Sequence, residues 1–239
     1  MAHDPPRTAL SGPVLIRLLA RLADVDVRES RQLLSDRLSQ WLNWTDAITL
    51  SSALSTHPPA FVSSGRPVVA DAEAMCARQR TALTKAIAST CAPETRPGGK
   101  ARQPIQSAPA PLTVDYADYR QRYVLMQQTM ELEIGTLRDR LRRLLAAATP
   151  DLARLAVLDA SMEQALAPRE RALLSTIPAW LGKHFERLRA TEPPAESLSP
   201  AKSRAWLEAF RKDMQSVLLA ELDVRFQPVD GLLAALRPS

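Results

Sequence analysis

The chain has 239 residues, of which 46% are hydrophobic, and it carries a formal net charge of +5. Aromatics are only 5% and glycines number 7, too few for a turn-rich sandwich or barrel, so the composition points to helices. The positive charge is thinly spread and mixed with acids, unlike the basic stripe of a nucleic-acid-binding module.

The expected architecture is all-α: a small N-terminal helical region over residues 1–90, a Pro-rich linker over 91–114, and a C-terminal antiparallel helical bundle over 115–239 built around one long coiled-coil-like helix. Many of the 19 prolines sit where a helix would begin; Pro13, Pro67, Pro150, Pro168 and Pro200 each precede an apolar-periodic run.

Ser11-Gly12-Pro13 reads as a first helix start, with Leu15, Leu18, Leu19 and Leu22 on one face. Asp24-Val25-Asp26 ends it, and Asp26 with Glu29 resembles a capping box. The next run places Leu34, Leu38, Trp41, Thr45 and Ile48 at helical steps. Trp41 and Trp44 lie a turn apart and are expected to pin this helix against the first; a binding surface is the other reading. His57-Pro58-Pro59 closes the segment. A helix from Pro67 to about Ala88 turns Val69, Ala72, Met75 or Cys76, Gln79, Leu83 and Ile87 inward.

Residues 91–114 carry five prolines and no apolar period, which predicts a flexible tether. Gly98-Gly99-Lys100 lacks the upstream glycine and following hydroxyl residue of a phosphate loop. Cys76 and Cys91 have neither CxxC nor zinc spacing and read as ordinary thiols, or as partners in one disulfide.

The main feature is a stripe of Tyr116, Tyr119, Tyr123, Met126, Met130, Ile134, Leu137, Leu141 and Leu144, close to a heptad repeat with one long step after Met130. Asp115 reads as its N-cap and Thr149-Pro150 as a stop and restart. The following helix turns Leu152, Leu155, Leu158 and Met162 inward, with Leu166 near its end. Pro168 is read as starting another helix through Leu188, bent or broken at Pro178. After the Glu192-Pro193-Pro194 loop, Ser199-Pro200 starts a last helix bearing Leu207, Phe210, Met214, Val217 or Leu218, Glu221 and Val224. Gly231 and Pro238 bracket a short apolar tail. Pairs such as Asp118–Arg122, Asp139–Arg143, Glu208–Lys212 and Glu221–Arg225 fit wet helix faces.

No catalytic motif, metal-ligand spacing or cofactor fingerprint appears, so no enzyme, metal or cofactor is expected. His3, His57 and His184 lie far apart, and Asp159 with Glu163 reads as a solvated acidic face before a cation site. Arg138, Arg140, Arg142 and Arg143 read first as the solvated side of the long helix. An acidic protein partner comes second, and nucleic acid or lipid headgroups third. The apolar N-terminal patch is too short and too charged for a signal peptide or a membrane span, which places the chain in the cytoplasm.

Trp41-Leu42-Asn43-Trp44-Thr45-Asp46-Ala47-Ile48 through Ala53-Leu54 resembles the N-terminal signature of a proteobacterial all-helical family of unknown function. Tyr119-Arg120-Gln121-Arg122-Tyr123, Ile134-Gly135-Thr136-Leu137-Arg138, Asp151-Leu152-Ala153-Arg154-Leu155 and Glu163-Gln164-Ala165-Leu166 are similar to the same family. The resemblance implies a bacterial cytoplasmic protein with no assigned activity, and it suggests an accessory of an envelope motor-like complex of MotA/TolQ-like and OmpA-like proteins. The expected function is a helical interaction or scaffold protein with protein partners or a second copy of itself. Its candidate interaction residues are Trp41, Trp44, Tyr119, Tyr123, Met126, Met130, Arg138, Arg140, Arg142 and Arg143. The alternative is a nucleic-acid-associated regulator using the Arg138–Arg143 patch.

Overall fold

The computed structural model describes residues 13–25, 34–55, 65–93, 114–191 and 205–237, which are helix and turn with no strand among them. In chain order the helices are α1 (Val14–Ala23), α2 (Leu34–Trp41), α3 (Trp44–Ser55), α4 (Gly65–Cys91), α5 (Tyr116–Ala146), α6 (Pro150–Leu174), α7 (Ile177–Ala190) and α8 (Ala205–Leu236). The all-α expectation holds. The Asp26–Glu29 capping box, His3, His57-Pro58-Pro59, the linker over 94–113 with Gly98-Gly99-Lys100, Glu192-Pro193-Pro194, Ser199-Pro200 and Pro238 lie outside the described residues.

Helix α5 starts as its sequence demands: the Asp115 carboxylate accepts from the Ala117 amide at 3.1 Å, filling one of the four orphan donors of the first turn. It runs for 31 residues, about 46 Å at 1.5 Å per residue. Its buried residues are Tyr119, Tyr123, Met126, Met130, Ile134, Leu137, Leu141 and Leu145. Their steps repeat as 4, 3, 4, an 11-residue period that stays nearly in phase with a straight helix, unlike a heptad. The phase therefore lands on Leu145, while Leu144 and Tyr116 are only partly buried. At the far end the Thr149 hydroxyl caps Leu152, and Pro150 takes the first helical position.

The bundle is centred on α8 rather than on α5. Fourteen α8 residues are buried against eight on α5, and α8 touches α1, α4, α5, α6 and α7. A helix covered on so many sides loses its single-face periodicity, which is why its centrality was hidden in the sequence. It also runs unbroken through Pro228 and Gly231, where a separate tail was expected.

The sequence left open whether the parts before and after the linker pack together. One hydrophobic core takes Leu15 and Leu22 of α1, Ala72, Cys76, Leu83, Ile87 and Cys91 of α4, and the inner faces of α5 to α8. Arg80 of α4 ties the two sides: it bridges Asp223 at 3.1 Å and Asp230 at 2.8 Å, and lies over the Phe226 ring. Cys91, expected to open the linker, is the last residue of α4.

Two predicted helices are redrawn. The run expected from Leu34 through Ile48 breaks at Leu42-Asn43, because Asn43 caps α3: its side chain accepts from the Asp46 amide at 2.8 Å, and the Asp46 carboxylate accepts from the Asn43 amide at 3.0 Å. Nor does this segment pack on the first helix, since α3 lies on α6 while α1 lies on α7 and α8. Pro168 lies inside α6, and the break falls at Ser175-Thr176, with Pro178 in the first turn of α7 where a missing amide costs no hydrogen bond.

Gly182 and Gly231 behave oppositely. A Cβ on Gly182 would sit 2.8 Å from the Tyr116 ring, whereas one on Gly231 meets nothing within 4 Å. Gly231→Ala should stabilise the helix by about 0.5–1 kcal/mol. Gly182→Ala should instead destabilise by about 1–2 kcal/mol, because the ring is held between Phe185 and Phe210 and overpacking outweighs the propensity gain. Thermal melts of the two variants should therefore shift in opposite directions.

Both cysteines are free and buried. They sit on one helix about 22 Å apart, too far for a disulfide. Burial raises the Cys91 thiol from its ordinary 9.0 to about 11, and raises Cys76 as well. A raised folded-state pKa favours the protonated form, so this stability is complete below about pH 9 and is lost as pH rises toward 11. The urea midpoint should fall across that window by the equivalent of about 2–3 kcal/mol, and Cys91→Ala should flatten the fall.

Candidate functional site

Between α5, α6 and α8 the bundle leaves a cleft of about 610 Å³. It exists because α6 stands off α8: the buried residues on α6 are Ala153, Ala156 and Leu174, while Leu155, Leu158, Met162 and Leu166 are only half-buried. That stripe, expected to face a closed core, instead forms one wall. Met130 and Ile134 form the floor, Val224, Arg225 and Pro228 the opposite wall, and Trp41 one rim.

A buried polar knot lies behind the α8 wall. Glu221 is fully buried; it accepts from the Tyr123 hydroxyl at 2.7 Å, from Gln127 Nε2 at 3.0 and 3.1 Å, and from Arg225 Nε at 3.0 Å. Glu221–Arg225 was expected on a wet face, but both residues are buried, since α8 has little wet face to offer. Burial, then the adjoining Glu221 carboxylate, pushes the Tyr123 phenol well above its ordinary value, so it stays a donor. Gln127 also donates to the Leu174 carbonyl, fixing the end of α6.

At the other end of the cleft, Arg138 and Arg142 do not form a solvated face. Arg138 reaches both oxygens of Asp159, at 2.8 and 2.6 Å, and Glu163 at 3.2 Å. Arg142 reaches Asp159 at 2.7 Å, Asp139 at 2.9 Å and Glu163. Burial works against the Arg142 charge, but the bonds from Glu163 and Asp159 outweigh it and raise its pKa. The acidic pair weighed as a cation site is thus the counterpart of the arginines across the α5–α6 hairpin. Among the described residues no group of three or more His, Cys, Asp or Glu side chains could hold a metal ion. Arg140 and Arg143 remain on the exposed surface. Asp139 pairs with Arg142 rather than Arg143, whose Nε contacts the Asp139 carbonyl.

The other candidate interaction residues divide sharply. Tyr119, Tyr123, Met126 and Met130 are core, covered by the chain's own helices, so that stripe offers no surface for assembly. Their neighbours complete an aromatic cluster in which Phe210 stacks edge-on against Tyr116, Tyr119 and Phe185. His184, beside it, bonds Asp213 at 2.8 Å as a structural histidine. The tryptophan pair was expected to be core packing. Instead Trp41 is half-buried under Arg169, and Trp44 is 81% exposed. Because α3 meets the rest of the molecule through α6, its outer face stays open, with Ile48 51% exposed there and Leu54 58% exposed on the flank. No helix among the described residues is long and apolar enough to cross a membrane.

The chain belongs to a family of proteins of unknown function, whose model (DUF3348) matches residues 1–238. No curated protein matches the chain, and no solved structure does.

Proposed function

From membership of a family without an assigned activity, we propose that this protein is a helical interaction or scaffold protein that docks a protein partner on the outer face of α3. The observation that carries the reading is the exposed apolar pair Trp44 and Ile48, one turn apart on the outer face of α3, with Leu54 exposed on its flank. Exposed apolar patches of this kind mark interaction sites, and tryptophan is enriched among the residues that dominate binding energy. A bacterial envelope motor-like complex, of MotA/TolQ-like and OmpA-like proteins, is the partner suggested by resemblance, and a second copy of the chain is the other candidate. The nucleic-acid alternative is weakened by the engagement of Arg138 and Arg142 with Asp159 and Glu163.

The test is photo-crosslinking in the native host from a reactive residue at position 48, with position 208 on the exposed side of α8 as control. Crosslinks to a defined protein from position 48 alone support the reading. Equal yields from both positions, or none from position 48, contradict it.

A further inference from the structure

The geometry points to a binding site for a small amphipathic anion in the cleft between α5, α6 and α8: a single apolar chain ending in a carboxylate-like head. A volume of about 610 Å³ lies within the range of small-molecule sites. The body of the cleft is apolar, with Leu155, Leu158, Met162 and Leu166 facing Met130 and Ile134. Their half-burial leaves apolar surface in water that a hydrocarbon chain would cover.

The head is assigned by Arg225, which is 7% exposed. Its guanidinium has five N–H donors in a rigid fork. Nε and Nη2 both turn to one oxygen of Glu221, at 3.0 and 2.9 Å. Nη1, on the opposite side, has only Glu170 at 3.5 Å, beyond ordinary hydrogen-bond distance. Glu170 is 44% exposed and can move into solvent at little cost. Glu221 keeps all its partners when an anion takes the place of Glu170. Arg169, the next residue, adds a second cation at the rim; it lies over Trp41, and no carboxylate among the described residues pairs with it. The other charges of the lining are already paired, Glu131 with Arg171 and Asp159 and Glu163 with Arg138 and Arg142, so an entering anion meets the Arg225 guanidinium, held there only by the long Glu170 contact, and the Arg169 guanidinium at the rim.

The test uses the full chain with its six methionine methyls labelled for NMR. Met130 and Met162 line the cleft, and Met75 and Met214 do not. Decanoate, decan-1-ol and decylamine are titrated separately below their aggregation thresholds. Decanoate should shift Met130 and Met162 selectively and bind about tenfold tighter than decan-1-ol, with decylamine weaker still. Glu170→Gln, which removes the competing carboxylate, should tighten decanoate severalfold. Leu158→Trp should abolish the shifts by filling the cleft, while the Met214 signal and the melting temperature stay as in the wild type. Absence of a Met162 shift with every probe would overturn the site. So would binding of decan-1-ol or decylamine as tight as decanoate, or an unchanged decanoate affinity in Glu170→Gln or Leu158→Trp.

Discussion

Replacing Glu221 with leucine should destabilise the protein by about 3–5 kcal/mol, because it strands the buried Arg225 without its counter-charge. Tyr123 loses its acceptor at the same time, an unpaired buried donor costing about 1–3 kcal/mol, while Gln127 keeps only the Leu174 carbonyl. Adding Arg225→Met should restore much of the loss, since apolar replacement of a whole buried ion pair is often close to neutral. Urea unfolding of the two single variants and the double variant closes the cycle. Equal destabilisation in Glu221→Leu and in the double variant would show that the ion pair is not what holds this part of the bundle.

The second large effect is expected at Phe210. It is fully buried, and its ring centroid lies 5.0 Å from that of Phe185 and 5.3 Å from that of Tyr119, both edge-on. Phe210→Ala removes all three edge-on ring contacts and leaves a cavity where α5, α7 and α8 meet, costing about 3–5 kcal/mol. For a chain of this size that is a fall of roughly 10 °C in Tm. Phe210→Leu keeps most of the volume and should lose less than half as much, while an equal loss would assign the effect to ring geometry alone.

What could be read in advance was local chemistry. The α5 stripe from Tyr119 to Leu141, the Asp115 cap, the restart at Thr149-Pro150 and the inward face of α4 follow from periodicity and short-range hydrogen bonding, and are found in the structure. The break at Asn43 was equally legible, because Asn43-Trp44-Thr45-Asp46 spells the reciprocal cap that forms. Pro168 and Pro178 were harder, since a proline at a helix start and one inside a helix leave the same local signature; only packing decided between them. The α5–α6 ion network had a signal that spacing alone carries. Arg138 lies 11 residues before Thr149 and Asp159 lies 10 after it, so an antiparallel hairpin brings that pair level, and the long side chains of Arg142 and Glu163 join them. The cleft had none, because it depends on how far α6 stands from α8, which is set by residues distant in sequence.

The most direct test of the interaction role is a tagged pull-down from the native host after nuclease treatment. Wild type is compared by quantitative mass spectrometry with a Trp44→Ser/Ile48→Ser/Leu54→Ser variant of unchanged melting temperature. A defined protein, or untagged copies of this chain, should be recovered with the wild type and depleted at least about tenfold with the variant, as expected when apolar hot-spot side chains are removed. Equal recovery of the same proteins by both forms would contradict that role.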